Sequence, residues 1–334
     1  MITSKCALLI CYYGKWPEHF HLWLESVRRN GEFDFIIVSD IPTEKFQIPG
    51  NVIVIKESFE QLKERFQSCF DFKISLEKYY KLCDYRAVYG LAFREELSGY
   101  DFWGFCDIDL IFGDLSKFIT QKILDENKKI FEYGHFTLLK NDEKMRYLFR
   151  EKGANFSYKE VFSHPENYAF DEMFGLNKII DKNNIEVYRK ELCKDIAYTM
   201  DGILSISPDI YEEIYYWEDG CIFGAQVLNG QVKRKEYMYL HFQKKNIPNT
   251  IENNRIPHSY YISMNGFRER KNNGFPTCEE IIKNTDFTSQ EDKKRARCAY
   301  KKENIKNKFV LASFAEKRIY VINSLSVLKN RLKR

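Results

Sequence analysis

An apolar run over residues 5–12, a stretch of helical periodicity after Gly14 and Pro17, and two further apolar runs limit the fold more than any other feature of the chain. A short apolar run closed by glycine and proline is the pattern of a strand buried on both faces, as in parallel sheets. Pro17 opens the next element, where Phe20, Trp23, Leu24 and Val27 recur at helical spacing until Asn30-Gly31. Residues 35–39 and 51–55 predict the second and third strands, with Asp40 ending the second. This β-α-β-x-β order predicts an α/β fold with a doubly wound sheet and right-handed crossovers. Helical stretches are predicted over residues 58–70 and 81–97, a strand over 100–105, a strand over 135–139, a helix near 171–180 and a strand over 237–241. Residues 247–273, rich in Asn and Pro, read as an irregular connection.

A chain of 334 residues has room for one large α/β domain or two small ones. Its nine cysteines are scattered without a C-x-x-C pair, so neither a zinc site nor a disulfide framework is expected. The apolar run of residues 7–11 is too short for a signal peptide or a membrane helix, which predicts a cytoplasmic protein. The net charge of +4 is unevenly spread: fourteen Lys and Arg face two acids over residues 293–334, leaving −8 on residues 1–292. Global nucleic-acid binding is therefore not indicated, and the basic tail reads as a separate appendage. In it Phe314, Val321, Leu325, Leu328 and Leu332 recur at helical spacing among Lys317, Arg318, Lys329, Arg331, Lys333 and Arg334. That pattern fits a basic amphipathic helix on an anionic membrane surface at the inner face of the cell membrane, or a helix packed onto the main domain.

Ligands of doubly wound sheets bind beyond the carboxyl ends of the strands. Tyr12, Tyr13 and Gly14, then Asp40, then Asp107 and Asp109 all fall at such ends. Asp107-Ile108-Asp109 follows the aromatic run Phe102-Trp103-Gly104-Phe105-Cys106, and two carboxylates so spaced offer hard oxygen ligands to one Mg²⁺ or Mn²⁺ that also grips a diphosphate. A strand-end pair capping the next helix with Asp114 is the structural alternative. Arg86 is a permanent cation with a forked donor set suited to phosphate or sugar hydroxyls; Asp84 would orient it and Lys81 would add a phosphate contact, unless the three form a solvated helix face. Asp171 and Glu172 lie among aromatics before a predicted helix, where one acid would take the proton of an acceptor hydroxyl in an inverting reaction or would cap the helix. His19, His21, His135, His164 and His258 show no spacing of a metal cluster or triad.

The segments Lys81-Leu-Cys-Asp84-Tyr-Arg86-Ala-Val-Tyr-Gly90 and Gly99-Tyr-Asp-Phe-Trp-Gly-Phe-Cys-Asp107-Ile-Asp109-Leu-Ile-Phe-Gly113-Asp-Leu resemble the GT-A-fold glycosyltransferases of bacterial capsule and lipopolysaccharide clusters. They are also similar to the wider group in which a D-x-x-R-like helix precedes a D-x-D strand, although Asp84 and Arg86 stand two apart rather than three. The resemblance is strongest over residues 81–115 and weaker at both ends of residues 1–245. It implies a GT-A-like, Rossmann-like mixed sheet over residues 1–245, with a nucleotide-sugar half of residues 1–115 and an acceptor half of residues 116–245. A connecting segment of residues 246–292 and the helical tail of residues 293–334 would follow.

The same resemblance implies a Mn²⁺ or Mg²⁺ ion held by Asp109 with Asp107 and His241, and donor contacts from Asp84 and Arg86. Lys244 would meet the diphosphate, and a ring of Tyr12 or Tyr13 beside Gly14 would stack on the nucleobase, with Asp40 accepting from base or ribose. For His241 a core histidine bonded to a backbone carbonyl is the alternative. The expected activity is transfer of a hexosyl group from a nucleotide-sugar, a UDP-sugar, to a glycan or lipid-linked acceptor in surface polysaccharide synthesis. Two rival readings are a metal-dependent nucleotidyltransferase acting on sugar phosphates and a non-catalytic glycan-binding protein. The first would carry a glycine-rich basic loop where this chain has Tyr12-Tyr13-Gly14-Lys15; the second would need no metal–diphosphate site.

Overall fold

The computed structural model describes residues 2–195, 212–243, 247–287, 289–307, 310 and 312–332. The first strand, Cys6–Cys11 (β1), sends alternate side chains into two cores: Cys6, Leu8 and Ile10 into one, Ala7 and Leu9 into the other. Phe33–Ser39 (β2), Val52–Lys56 (β3) and Phe102–Cys106 (β4) join it. Phe35 and Phe102 enter the first core and Ile36 and Trp103 the second, so these strands read as continuous apolar runs because both faces are covered. Leu110–Phe112 (β5) leaves this sheet, while Lys129–Tyr133 (β6), Phe136–Lys140 (β7) and Val187–Tyr188 (β8) complete it. Its order is β3-β2-β1-β4-β7-β6-β8, with β1 to β4 parallel and β7 antiparallel to both β4 and β6. The chain is thus a mixed α/β protein with helices on both faces of a large sheet.

The helix Phe20–Arg28 buries Phe20, Trp23, Leu24 and Val27 in the first core, each large side chain contributing about 1.5–3 kcal/mol. Asn30, just beyond it, donates from Nδ2 to the carbonyls of Ser26 (2.8 Å) and Gly113 (2.9 Å) and accepts from the Leu115 N–H (2.7 Å). It therefore ties the helix end to the segment that follows β5. The helix Phe59–Gln67 begins with a capping box between Ser58 and Gln61.

Lys194–Asp195 (β9), Glu213–Glu218 (β10), Cys221–Leu228 (β11), Gln231–Tyr237 (β12), Tyr239–His241 (β13), Ser259–Ser263 (β14) and Gly266–Glu269 (β15) supply two further sheets. One, ordered β12-β11-β10-β14-β15, is antiparallel; the other is β5-β13-β9. The strand expected over residues 237–241 is therefore two strands in different sheets. The chain changes sheet at Met238, whose N–H donates to Leu192 O (2.8 Å) and whose carbonyl accepts from Gly113 (2.8 Å).

Three other expectations are corrected. The helix over residues 81–97 is a series of short turns, Tyr79–Lys81, Leu82–Tyr85, Arg86–Val88 and Tyr89–Ala92. Val88, Tyr89 and Gly90 are weak helix formers, and Gly90 lies so close to the Trp103 indole that a Cβ would clash. The helix near Asp171 starts at Leu176. Residues 247–273 are not an irregular connection: they contain the β14–β15 hairpin, and Ile247, Ile251, Tyr260 and Phe267 enter the first core.

The basic tail forms the helices Gln290–Lys306 and Phe314–Leu332, and they are not a detached appendage. Lys293 and Glu213 make an enclosed ion pair at 2.8 Å, Ile319 is buried in the second core, and Asn155 donates to Asn323 Oδ1 at 2.6 Å. No helix among the described residues is long and apolar enough to cross a membrane.

Candidate functional site

The register of two small strands builds the site. β4 ends at Cys106, and the Asp107 N–H donates to His135 O (3.0 Å) as the chain turns toward β5. β13 pairs antiparallel with β5, setting His241 opposite Leu110, and the Phe242 N–H donates to Asp109 O (3.0 Å). His241 thus arrives beside the two aspartates from 132 residues beyond Asp109. Its Nε2 stands 3.4 Å from Asp109 Oδ1 and 3.7 Å from Asp107 Oδ2, and one ligand atom from each of the three lies within 4.8 Å of the others.

Asp107 and Asp109 border a cavity of about 440 Å³ at the carboxyl ends of β1 and β4, which Tyr12, Tyr13, Tyr80 and Arg86 also help to line. The placement follows the rule for such sheets. Arg86 lies across its floor, donating to Asp107 Oδ1 and the Gly134 carbonyl, with Asp171 Oδ2 at 3.2 Å and the Phe105 ring 5.5 Å away. One guanidinium therefore holds two carboxylates, and it turns the other oxygen of Asp107 toward His241. Asp171 is 2% exposed; burial, with Glu172 and Asp84 nearby and Arg86 opposing, raises its carboxyl well above the usual range. Glu172 is half-buried against Gly134, and neither acid lines the cavity.

Other expected donor residues are placed differently. Lys81 and Asp84 are 2% and 0% exposed and paired at 2.8 Å. Lys81 Nζ also donates to the carbonyls of Val161 (2.8 Å) and Glu166 (2.5 Å), and Asp84 accepts from the backbone of Tyr168 (3.0 Å) and Phe170 (2.8 Å). Their polar atoms hold the 161–170 segment, and neither residue borders the cavity of Asp107 and Asp109. Tyr13 donates its hydroxyl to Glu57 O (3.1 Å) and packs on Phe59 and Tyr79. Tyr12 stacks on Trp16 with ring centroids 5.3 Å apart and presents the rest of its ring to the cavity. Gly14 adopts φ +103°, a left-handed conformation open to glycine, with the Tyr79 ring 3.7 Å from where a Cβ would be. Asp40 is exposed and does not border the cavity. Lys244 lies outside the described residues.

Sequence spacing missed two histidines. His19 lines the cavity, is 4% exposed and bonds through Nε2 to Ile108 O (3.1 Å), the residue between the two aspartates. A carbonyl only accepts, so Nε2 carries the proton; burial pushes this imidazole down to about 4 and keeps it neutral. His135 lies over His241 with ring centroids 4.1 Å apart and shares a 2.9 Å hydrogen bond with the Tyr239 hydroxyl. Burial and His241 lower its proton affinity. No linear motif joins these residues to Asp107; the pairing of β4 with β7 brings His135 there, and His19 arrives through its bond to Ile108.

The chain belongs to the family described as a family of unknown function, DUF6625, whose model matches residues 8–271. No curated protein matches the chain.

Proposed function

We propose that this member of the family is a metal-dependent glycosyltransferase of GT-A-like build, moving a hexosyl group from a UDP-sugar to a glycan or lipid-linked acceptor in surface polysaccharide synthesis. The observation that carries the reading is the convergence of Asp107, Asp109 and His241 at the carboxyl ends of parallel strands, beside a cavity of about 440 Å³. Two carboxylates and an imidazole suit Mn²⁺, and the nitrogen makes the set less apt for Mg²⁺. A bound divalent cation would neutralise charge on the leaving diphosphate.

The chain's own residues do the rest. Arg86 fixes Asp107, His19 fixes the turn at Ile108, and His135 braces His241. The half-exposed face of Tyr12 offers a stacking surface for a base. In the transfer, the acceptor oxygen bonds to the anomeric carbon, the bond from that carbon to the diphosphate breaks with its electron pair on the diphosphate, and the hydroxyl proton passes to a carboxylate. Asp171 or Glu172 would take that proton, and Glu172 is the less enclosed of the two. The exposed Phe314, Val321, Leu325 and Leu328, flanked by Lys317, Arg318 and Lys329, support work at an anionic membrane face in the cytoplasm.

Calorimetric titration of Mn²⁺ and UDP, with nucleotide release from a panel of UDP-sugars, tests the reading. Wild type is expected to bind UDP in a Mn²⁺-dependent way and Asp109→Ala to lose that dependence. A folded Asp109→Ala protein with undiminished Mn²⁺-dependent nucleotide release removes it.

A further inference from the structure

A second cavity, of about 1090 Å³, lies between the body and the tail helices. Tyr80, Tyr168 and Phe174 form its body side, and Ile305, Ile319, Val327 and Leu328 its tail side. It meets the Asp107–Asp109 cavity at Tyr80, which lines both and is 57% exposed. Leu328 also lines it, 53% exposed and part of the outward apolar stripe.

The wall charges narrow the occupant. Lys78 and Lys301 are balanced by Glu166 and Glu316, and Lys81 is already paired with Asp84, so the groove offers no net attraction to a polyanion. Aromatic rings, Tyr80, Tyr168 and Phe174 from the body and Tyr320 from the tail, suit sugar faces, and the aliphatic side chains of the tail suit hydrocarbon. Asn167 adds a donor: its Oδ1 accepts from the Ala169 N–H (3.0 Å), which fixes the amide, and its Nδ2 has no partner among the described residues. A buried donor without a partner is rare and finds an acceptor oxygen when a ligand binds beside it.

We propose that this groove binds the acceptor, an amphiphilic glycan whose uncharged saccharide end reaches the metal-binding cavity past Tyr80 and whose hydrocarbon end leaves past Leu328. The proposal rests on the glycosyltransferase reading for the direction in which the saccharide points, and on the groove itself for the class of ligand. It also gives the tail a role beyond attachment, since the tail helices supply one wall of the site.

The test uses the full chain and three probes in calorimetry: dodecyl β-lactoside below its micellar concentration, free lactose and dodecyl phosphate. The expected order is dodecyl lactoside first, with lactose and dodecyl phosphate each weaker by about tenfold or more. Ser324→Trp, an exposed groove position, and Asn167→Leu are each expected to weaken dodecyl lactoside binding by about tenfold while leaving Mn²⁺-dependent UDP binding unchanged. Folded variants that bind dodecyl lactoside as wild type does overturn the proposal, as does a wild type that prefers dodecyl phosphate or binds neither amphiphile. If UDP binding proves independent of Mn²⁺ and of Asp109 while the groove binds its probe, the glycosyltransferase reading fails and the amphiphile site stands. If only the groove is silent, this inference alone fails.

Discussion

Asp84 sits at 0% exposure with the Lys81 ammonium 2.8 Å away and two backbone N–H groups of the 168–170 segment on its oxygens. Removing one member of such a pair strands the other charge in the interior, at about 3–5 kcal/mol. Asp84→Ala is expected to lower the unfolding free energy by about that amount in urea titrations, with UDP affinity preserved in the fraction that remains folded. A stable Asp84→Ala protein with weakened UDP binding would put Asp84 back on the donor. Lys129 gives a pH signature. It is 0% exposed, donates to Asn177 Oδ1, and burial pushes its ammonium down to about 8, with Glu132 and Asp171 opposing. Between pH 8 and the ordinary lysine value of about 10.4 the unfolded chain holds the proton and the folded chain does not, so stability rises with pH across that window. Relative to Lys129→Met, wild type should gain about 2 kcal/mol in urea unfolding between pH 7 and about pH 9.5, and an equal gap at both would show that the ammonium is not enclosed. At this scale the sequence declared Asp107 and Asp109 through their strand-end position. It could not separate Lys81 and Asp84 from donor ligands, because a charged pair on a turn looks alike whether it faces a phosphate or a neighbouring backbone. His19 and His135 carried no spacing at all, since their partners are reached only across a fold.

Strands covered on both faces announce themselves as unbroken apolar runs, which is why β1, β2 and β4 were legible within two residues of their ends. The β14–β15 hairpin was not. Ser259–Ser263 has only one residue that is not buried, so it shows no alternation, and its Asn- and Pro-bearing flanks gave the stronger local signal. What fixes this hairpin is a long-range ion network. Arg270, just past β15 and 2% exposed, bonds Glu280 and Glu218 at 2.6 Å each and the Gly274 carbonyl at 3.0 Å, with the Tyr216 ring 4.3 Å away. It joins β10, β15 and the helix Cys278–Asn284. Arg270→Met leaves two carboxylates unpaired and should destabilise the protein by about 3–5 kcal/mol, read as a lowered thermal midpoint. Arg270→Lys should recover only part of that loss, because a single ammonium cannot span both acids. An unchanged midpoint in Arg270→Met would mean that the five-stranded sheet does not unfold with the rest.

Across the whole molecule, the last helix uses opposite faces for different purposes. Ile319, Ile322 and Asn323 turn inward, with Arg318 bonded to Glu160 at 2.7 Å, while Phe314, Val321, Leu325 and Leu328 are 88%, 49%, 52% and 53% exposed. The sequence showed the outward stripe through its spacing and its cations. It hid the inward face, whose two isoleucines and short polar groups have no meaning until the body supplies Asn155 and Lys178 as partners. This division decides how membrane binding is tested, because truncating the helix would also uncover the second core. Val321→Asp with Leu325→Asp changes only solvent-facing side chains, so thermal stability should hold. Each basic residue near an anionic surface contributes on the order of 1 kcal/mol, and each inserted aliphatic side chain about 1.5–3 kcal/mol. Wild type should therefore co-sediment with phosphatidylserine-containing liposomes at low salt, release as salt rises, and lose at least about tenfold in affinity in the double variant. Because Val321 and Leu325 do not line the groove while Leu328 does and is left intact, dodecyl lactoside should still bind the double variant in solution, separating attachment to the surface from capture of the acceptor. Undiminished co-sedimentation of a folded Val321→Asp/Leu325→Asp protein would show that this face does not meet lipid.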